Sequence, residues 1–459
     1  MSGVALIITF IVAVGIMIVS ISKFKVHPFI AIMGIALLLG IVVGIPLKDL
    51  PGTIGGGFSS TFTSIGIVII LGALIGVILE KTGAAVKLAD MVISVVGEKK
   101  PELAILIMGW IVSIPVFCDS GFVILNPIKK AIRKRTMTSS VAMTVALSAG
   151  LYASHVFIPP TPGPIAAAGA VGLGSNLLLI MGLGFLVSIP TLIAAYFYAK
   201  YIGKRVKAEE ELQDSQEVIK SYEELVKEYG TLPNGFLATA PIIVPILLMA
   251  LGSVGSALKW EGTLMALVAF LGAPMIALTV GLVFGIILLA FANKMADFNA
   301  LTNETLQVVG PILFITAAGG VLGRVITTAG FVEYIQENAS FLSTVGIFFP
   351  FLIAAILKSA QGSSTVAITT TAGIMGSFLE SGTMMQALGL TTPLAAALTV
   401  MAIGAGAMTV SHANDSYFWV VTNFGKMKAQ DGYKTQTMVT LVMGVVAMVS
   451  IFVISLFAL

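Results

Sequence analysis

Apolar runs of about 20 residues, each long enough to cross a hydrocarbon layer about 30 Å thick, recur from one end of the chain to the other. Gly, Pro and charged clusters divide them into predicted spans over 2–21, 28–46, 60–80, 138–157, 176–200, 235–254, 263–291, 305–328, 391–411 and 435–458. Two further apolar segments break partway. The first, 102–131, is interrupted by Pro115 and Asp119–Gly121, and the second, 341–379, by Lys358–Thr365. The run Val4–Ile21 has neither a preceding basic region nor a small-residue cleavage site, so it is expected to stay as a helix.

The basic clusters give the topology. If each interrupted segment returns to the side it entered from, then Lys23 and Lys25, the Lys99/Lys100 pair, Lys129–Arg135, Lys200–Lys207, Lys294 and Lys426–Lys434 share one face. The opposite loops, 47–58, 329–340 and 380–390, carry few lysines or arginines. The positive-inside rule makes the basic face cytoplasmic and both termini extracytoplasmic. A full crossing by each interrupted segment would scatter the later clusters, so the pattern predicts two re-entrant hairpins.

The expected fold is an all-α polytopic membrane protein with about ten transmembrane helices plus two re-entrant hairpins. A polar stretch rich in Glu and Lys, 203–234, divides the chain near its middle and reads as a solvated cytoplasmic linker. The flanking halves, 1–202 and 235–459, resemble each other. Ile75-Gly76-Val77-Ile78 and Thr82-Gly83 recur as Leu322-Gly323-Arg324-Val325 and Ala329-Gly330, and Ser154-His155 recurs as Ser411-His412. Five spans and a hairpin per half, an odd number of crossings, predict an inverted-topology repeat, the architecture of many secondary transporters.

Composition agrees. Of 459 residues 57% are hydrophobic and 10% charged, against about 25% charged in soluble domains, so lipid must be the solvent. The net charge of +3 gives no reason to expect a nucleic-acid partner. The single cysteine, Cys118, rules out an internal disulfide and a cysteine-based zinc site, and no metal or other cofactor is expected. There is no His-Glu-x-x-His or Gly-x-Ser-x-Gly string for an enzyme, and no Gly-x-x-x-x-Gly-Lys-Ser/Thr loop for an ATP-driven pump. A passive channel fits poorly with a repeat containing two hairpins.

Chemistry is expected where helices break, because non-helical backbone at membrane depth persists only inside protein or beside a water-filled cavity. The breaks are Pro115–Gly121, Pro159–Pro164, Lys358–Thr365 and Ser411–Ser416. In the third, Gly362 permits a tight tip, and Ser363, Ser364 and Thr365 start a new helix whose hydroxyls and N–H groups suit a carboxylate. Lys358 should face a ligand or pair with Asp119 or Asp415. Asp119, Asp415 and His412 are the candidate proton carriers, and each acid could equally cap a half-helix. Thr161 is the hydroxyl of the Pro-rich break, and Asn414 and Ser416 are the polar groups of the last. Gln361, Gly362, Asp119 and Ser120 complete the expected substrate-binding set. Arg324, near the end of its span, is expected to snorkel to the interface.

At these breaks the chain resembles the gluconate permease family of bacterial symporters, within the ion transporter superfamily. The resembling strings are Phe117-Cys118-Asp119-Ser120-Gly121-Phe122-Val123, His155 through Pro164, Ala360 through Ala367, and Ser411 through Trp419, and the likeness covers nearly the whole chain. It implies proton-driven uptake of a small polar monocarboxylate, such as gluconate, glycerate or D-serine, across the bacterial cytoplasmic membrane. It also implies elevator-like motion of hairpins and broken spans against the leading helices, commonly in a homodimer. Two departures from the family pattern, Cys118-Asp119-Ser120 in place of a Glu with bulkier apolar neighbours, and Lys358 in place of a frequent Arg, mark specificity positions. The expected mechanism is proton-coupled symport, with Lys358 and the Ser363–Thr365 helix start holding the carboxylate. Asn414, Ser416 and Thr161 would bond substrate hydroxyls or an amino group. Sodium coupling is the alternative, since the same breaks offer carbonyls and hydroxyls to a cation.

Overall fold

The structure, a computed structural model, describes residues 4–97, 100–212, 231–257, 260–329, 346–412 and 415–458. Lys99, Asn414, the loop 330–340, Gly330 of the repeated string and the middle of the polar linker lie outside these residues. Among the described residues there are helices and turns and no strand.

In the first half the helices are α1 (Val4–Ser22), α2 (Pro28–Val42), α3 (Leu50–Lys81), α4 (Ala84–Val96), α5 (Pro101–Val112), α6 (Cys118–Thr136), α7 (Ser140–Phe157), α8 (Pro162–Ala170) and α9 (Leu177–Gly203). In the second they are α10 (Gly235–Ala257), α11 (Gly262–Gly272), α12 (Pro274–Phe291), α13 (Phe298–Thr328), α14 (Phe348–Gln361), α15 (Ser364–Met375), α16 (Pro393–Met408), α17 (Ser416–Phe424) and α18 (Met438–Ala458). Six helical stretches among the described residues are long and apolar enough to cross a bilayer alone.

Helix α7 is buried on every face, and so is α16 from Ala395 onward. Helices α9, α10, α12 and α18 bury one stripe and expose Leu186, Ile193, Phe197, Leu247, Val283 and Val453 on the other. That pattern suits an outer ring facing lipid tails and would be an untenable apolar patch in water.

Several expectations from the sequence need correcting. The first interruption does not include Asp119–Gly121. The break is 113–117, where Ser113 donates its hydroxyl to the Val116 carbonyl at 2.9 Å, and a helix restarts at Cys118 with extended Phe117 as its N-cap. The second interruption is also shorter. Helix α14 runs through Lys358 to Gln361, and Gly362, at φ +90°, turns the chain in a conformation glycine adopts without penalty. The span 263–291 is two helices, because Pro274 holds Ala273 extended (φ −61°, ψ 130°). The loop 47–58 is helical from Leu50. Within it Gly57 lets α3 press on α13, where a Cβ would lie 2.8 Å from Val321 Cα. Helix α4, too short to register as a span, was missed.

Helices α3 and α13 run antiparallel. Gly57 meets Val321 at one end, and at the other Lys81 lies 3.6 Å from Glu304, while Lys294 donates to the Lys81 carbonyl at 2.7 Å.

Where the polar linker leaves α9 it docks beneath α7. The Glu211 carboxylate accepts the Ser140 N–H, the Val141 N–H at 3.3 Å and the Ser139 hydroxyl at 3.3 Å, and Glu209 N donates to the Lys426 carbonyl at 2.9 Å. An anion here satisfies free N–H groups at the positive end of the α7 dipole. Glu211→Ala is expected to lower stability by about 1–2 kcal/mol, read from unfolding of the purified protein, and Glu211→Gln by less.

Candidate functional site

The helix breaks converge at the middle of the fold. Helix α14 delivers Lys358, fully buried, to the break before α17. Its Nζ donates to Asp415 Oδ2 at 2.6 Å and to the Gly362 carbonyl at 2.5 Å. Asp415 is 4% exposed and fully engaged: Oδ2 also accepts the Ser411 hydroxyl at 2.5 Å, and Oδ1 accepts Tyr417 N at 3.0 Å, capping α17. Of the sequence alternatives for Lys358, pairing with Asp415 is the one the structure contains.

The backbone of this last break is held from outside. Ser411 N donates to Thr440 Oγ1 at 3.0 Å, and Thr437 donates to the Ser411 carbonyl at 2.6 Å. Both threonines flank the start of α18, and residues 433–437 form a single π-helical turn, a feature frequent at functional sites. Val410 sits at φ +60°, an outlier for a β-branched residue, where α16 gives way to the break.

The other breaks face this pair across aromatic rings. Lys358 Nζ lies 5.8 Å from the Tyr152 ring centroid, a cation–π arrangement. Tyr152 stacks on His155 at 6.4 Å and packs on Tyr417 at 5.2 Å, and Phe117 lies 6.1 Å from His155. The hydroxyl of Tyr417 donates to the Ser148 carbonyl at 3.1 Å, and that of Tyr152 to the Ala407 carbonyl at 3.4 Å.

Asp119 occupies the first turn of α6, close enough to Asp415 and Lys358 for their charges to act on it. Its Oδ2 has the Cys118 thiol at 3.8 Å, and its buried Oδ1 has no hydrogen-bond partner. A buried carboxylate oxygen without a donor is costly and needs a ligand, a water or a proton.

Other predicted site residues fall as follows. Ser363 caps α15, its hydroxyl accepting Val366 N at 3.3 Å, and Ser364 and Thr365 form the first turn, where N–H groups lack helical acceptors. Thr161 donates to the His155 and Ile158 carbonyls at 3.0 and 2.8 Å, so its proton is committed to closing the end of α7. His412 Nε2 lies 3.1 Å from the Ser359 carbonyl, bridging two breaks in a half-buried position. Gln361 ends α14, Ser120 lies in the first turn of α6 and Ser416 begins α17. Arg324 lies 3.8 Å from Glu380, with both side chains more than half exposed, a pair worth little on its own. It lines a cavity of about 280 Å³ on the side away from the basic clusters, with Gly57, Gly172, Gly323, Ser377 and Glu380.

Sequence reasoning gave no role to Tyr152, Tyr417 or Ser411. Tyr417 was present in the last resembling string, and Tyr152 lies one turn before His155 on the same face of α7, a spacing that carried the signal.

The chain matches the family model described as GntP family permease over residues 5–457. It is 34% identical over 425 residues to an uncharacterized permease of Haemophilus influenzae, covering 90% of this chain and 85% of that one. It is 31% identical to an inner membrane permease of Escherichia coli, with 97% of each chain covered, and 28% identical to a gluconate permease of Zymomonas mobilis, with 98% of each covered. Among solved structures its fold is similar to the YdaH transporter of Alcanivorax borkumensis, with a TM-score of 0.60 at 16% identity, covering 94% of this chain and 97% of that one. The match spanning almost the whole chain, together with an all-helical architecture whose breaks meet at a buried charge pair, makes this protein a membrane permease and a member of the GntP permease family.

Proposed function

We propose that the protein is a secondary active transporter that carries a sugar acid, or a similarly small hydroxy or amino monocarboxylate, across the bacterial inner membrane together with a proton. The observation that carries this reading is the fully buried Lys358–Asp415 pair beside an unpartnered oxygen of Asp119, where four helix breaks meet. Relatives named gluconate permease and inner membrane permease point to the same substrate class and membrane.

In this mechanism the substrate carboxylate docks at the start of α15, on the N–H groups of Ser364 and Thr365, and draws Lys358 from Asp415. Burial leaves Lys358 few alternatives, so its ammonium follows whichever carboxylate is present. Asp119 takes the proton, because Asp415 already accepts three hydrogen bonds while Asp119 has an oxygen open. An unprotonated Asp119 next to a bound anion places like charges together in a low-dielectric site. The half-loaded carrier therefore moves poorly, which is the condition for coupling.

The parallel order of the two halves supports an inverted repeat. Each has leading helices, a long glycine-containing helix (α3, α13), a helix pair meeting at the centre (α5–α6, α14–α15), a broken span (α7–α8, α16–α17) and a last helix (α9, α18). The repeat-related Gly76 and Gly323 bring α3 and α13 against these central elements, which suits a fixed scaffold along which the site slides.

The test is uptake by the purified protein in liposomes, screening labelled gluconate, glycerate, lactate and D-serine under an inward proton gradient and separately under a sodium gradient. Proton-driven accumulation of one acid is expected. Accumulation with sodium alone would remove the proton role from Asp119, and accumulation of none would overturn the substrate class.

A further inference from the structure

We propose that a file of buried polar side chains between α6, α7 and the π-helical turn 433–437 holds water and conducts the coupling proton from Asp119 to the basic end of the molecule. The inference rests on the proton-coupled reading above.

The register of α6 against α7 places the residues. Lys129 Nζ donates to Thr144 Oγ1 at 2.9 Å, and near the other end a Cβ on Gly121 would sit 2.6 Å from Leu151 Cδ2, so the helices run antiparallel. Asp119, Phe122, Asn126 and Lys129 fall on one stripe of α6, and Thr144, Ser148, Tyr152 and His155 on one stripe of α7, each at helical spacings of three and four. Asn126 is thereby level with Ser148. The π-helical turn supplies the third wall: Ser148 Oγ donates to Gln436 Oε1 at 2.6 Å, and Gln436 is fully buried. Tyr417 lines the stretch toward Asp119, its hydroxyl on the Ser148 carbonyl and its ring edge-to-face with Phe122 at 6.3 Å.

Two atoms along this file have no partner: Asn126 Oδ1, an acceptor, and Gln436 Nε2, a donor, both buried. With Asp119 Oδ1 they make three orphaned polar atoms along one seam. Such groups persist in native proteins when ordered water completes them, and one water needs two to four polar partners, which an amide oxygen, an amide nitrogen and a hydroxyl provide. A hydrogen-bonded file of this kind passes a proton without admitting a substrate-sized solute.

The ionisable groups facing the file are Asp119 and Lys129 from α6, Tyr152 and His155 from α7, Tyr417 from α17, and the Lys358–Asp415 pair at its upper end. Lys129 stands where the file meets the basic end. Its positive charge raises the energy of a free proton there, which limits leak while letting Asp119 discharge when the substrate leaves.

The decisive comparison is between net proton-driven uptake and equilibrium exchange of labelled substrate at equal pH, which does not require the proton to leave its carrier. In liposomes, Asn126→Leu and Gln436→Met are expected to slow net uptake at least tenfold while exchange stays within about twofold of wild type, and Asn126→Ser is expected to restore net uptake. Unchanged net uptake in both apolar variants would overturn the proposal. Wild-type protein supplies a second readout that needs no variant. Hydroxyl radicals made from bound water by X-ray pulses should oxidise the buried Tyr417 and Phe122, and absence of that oxidation would contradict a hydrated file. If wild-type uptake proves independent of protons, the underlying reading fails, while the radical labelling still decides whether the file holds water.

Discussion

Asp415→Asn is expected to destabilise the protein by about 3–5 kcal/mol, although the substitution barely changes shape and keeps an acceptor for the α17 cap. The cause is Lys358. With the carboxylate gone, a fully buried ammonium loses its ion-pair partner and keeps the Gly362 carbonyl, the weak attraction of the Tyr152 ring and the more distant charge of Asp119. The partner variant separates charge from contact. Lys358→Met combined with Asp415→Asn removes both charges and should unfold within about 1–2 kcal/mol of wild type, because exchanging a buried pair for neutral groups is often nearly neutral. Uptake should remain absent in both. Unfolding of the three purified proteins side by side checks this, and an Asp415→Asn single variant as stable as wild type would show that the pair does not hold a buried charge.

The second large effect is expected at the glycines of the scaffold helices. A Cβ on Gly76 would lie 2.1 Å from the Pro115 carbonyl oxygen, and one on Gly323 would lie 2.0 Å from the Gly373 carbonyl oxygen. Both obstacles are backbone, so no side-chain rotation relieves them. Gly76→Leu pushes α3 off the break that aims Asp119, and Gly323→Leu pushes α13 off α15. Overpacking costs about 1–3 kcal/mol, and rigid neighbours place these sites at the upper end. Uptake is expected to fall at least tenfold in each. Gly34→Ala is the control: nothing lies within 4 Å of its Cβ position, and a helical Gly→Ala exchange should raise stability by up to about 1 kcal/mol.

Hydropathy made most of the architecture legible, because a helix in lipid must be long and apolar and so announces itself. It failed where that rule does not apply. Helix α4 is short and carries Lys87 and Asp90, and the start of α3 is rich in glycine, of which Gly57 packs against α13. The break residues were visible because Pro, Gly and charge at membrane depth demand a reason. Which acid pairs with Lys358 was not visible, since Asp119 and Asp415 lie in opposite halves of the chain and either could have folded toward it. Thr161 illustrates the same limit: its type suits a ligand, but its hydroxyl serves two carbonyls of its own turn. Tyr152 carries no break residue or charge to single it out, and its place 5.8 Å from Lys358 Nζ depends on how the fold brings α7 and α14 to the same centre.

The central claim is that Lys358 and the helix start after Gly362 hold the substrate carboxylate, and binding tests it most directly. Calorimetric titration of gluconate, and of the other acids in the uptake screen, into wild-type protein and the Lys358→Met/Asp415→Asn variant avoids confusing lost binding with lost fold. Saturable binding by wild type that falls at least a hundredfold in the stable double variant is the predicted result. Equal affinity in the two proteins would contradict it, and would move the carboxylate site away from the Lys358–Asp415 centre.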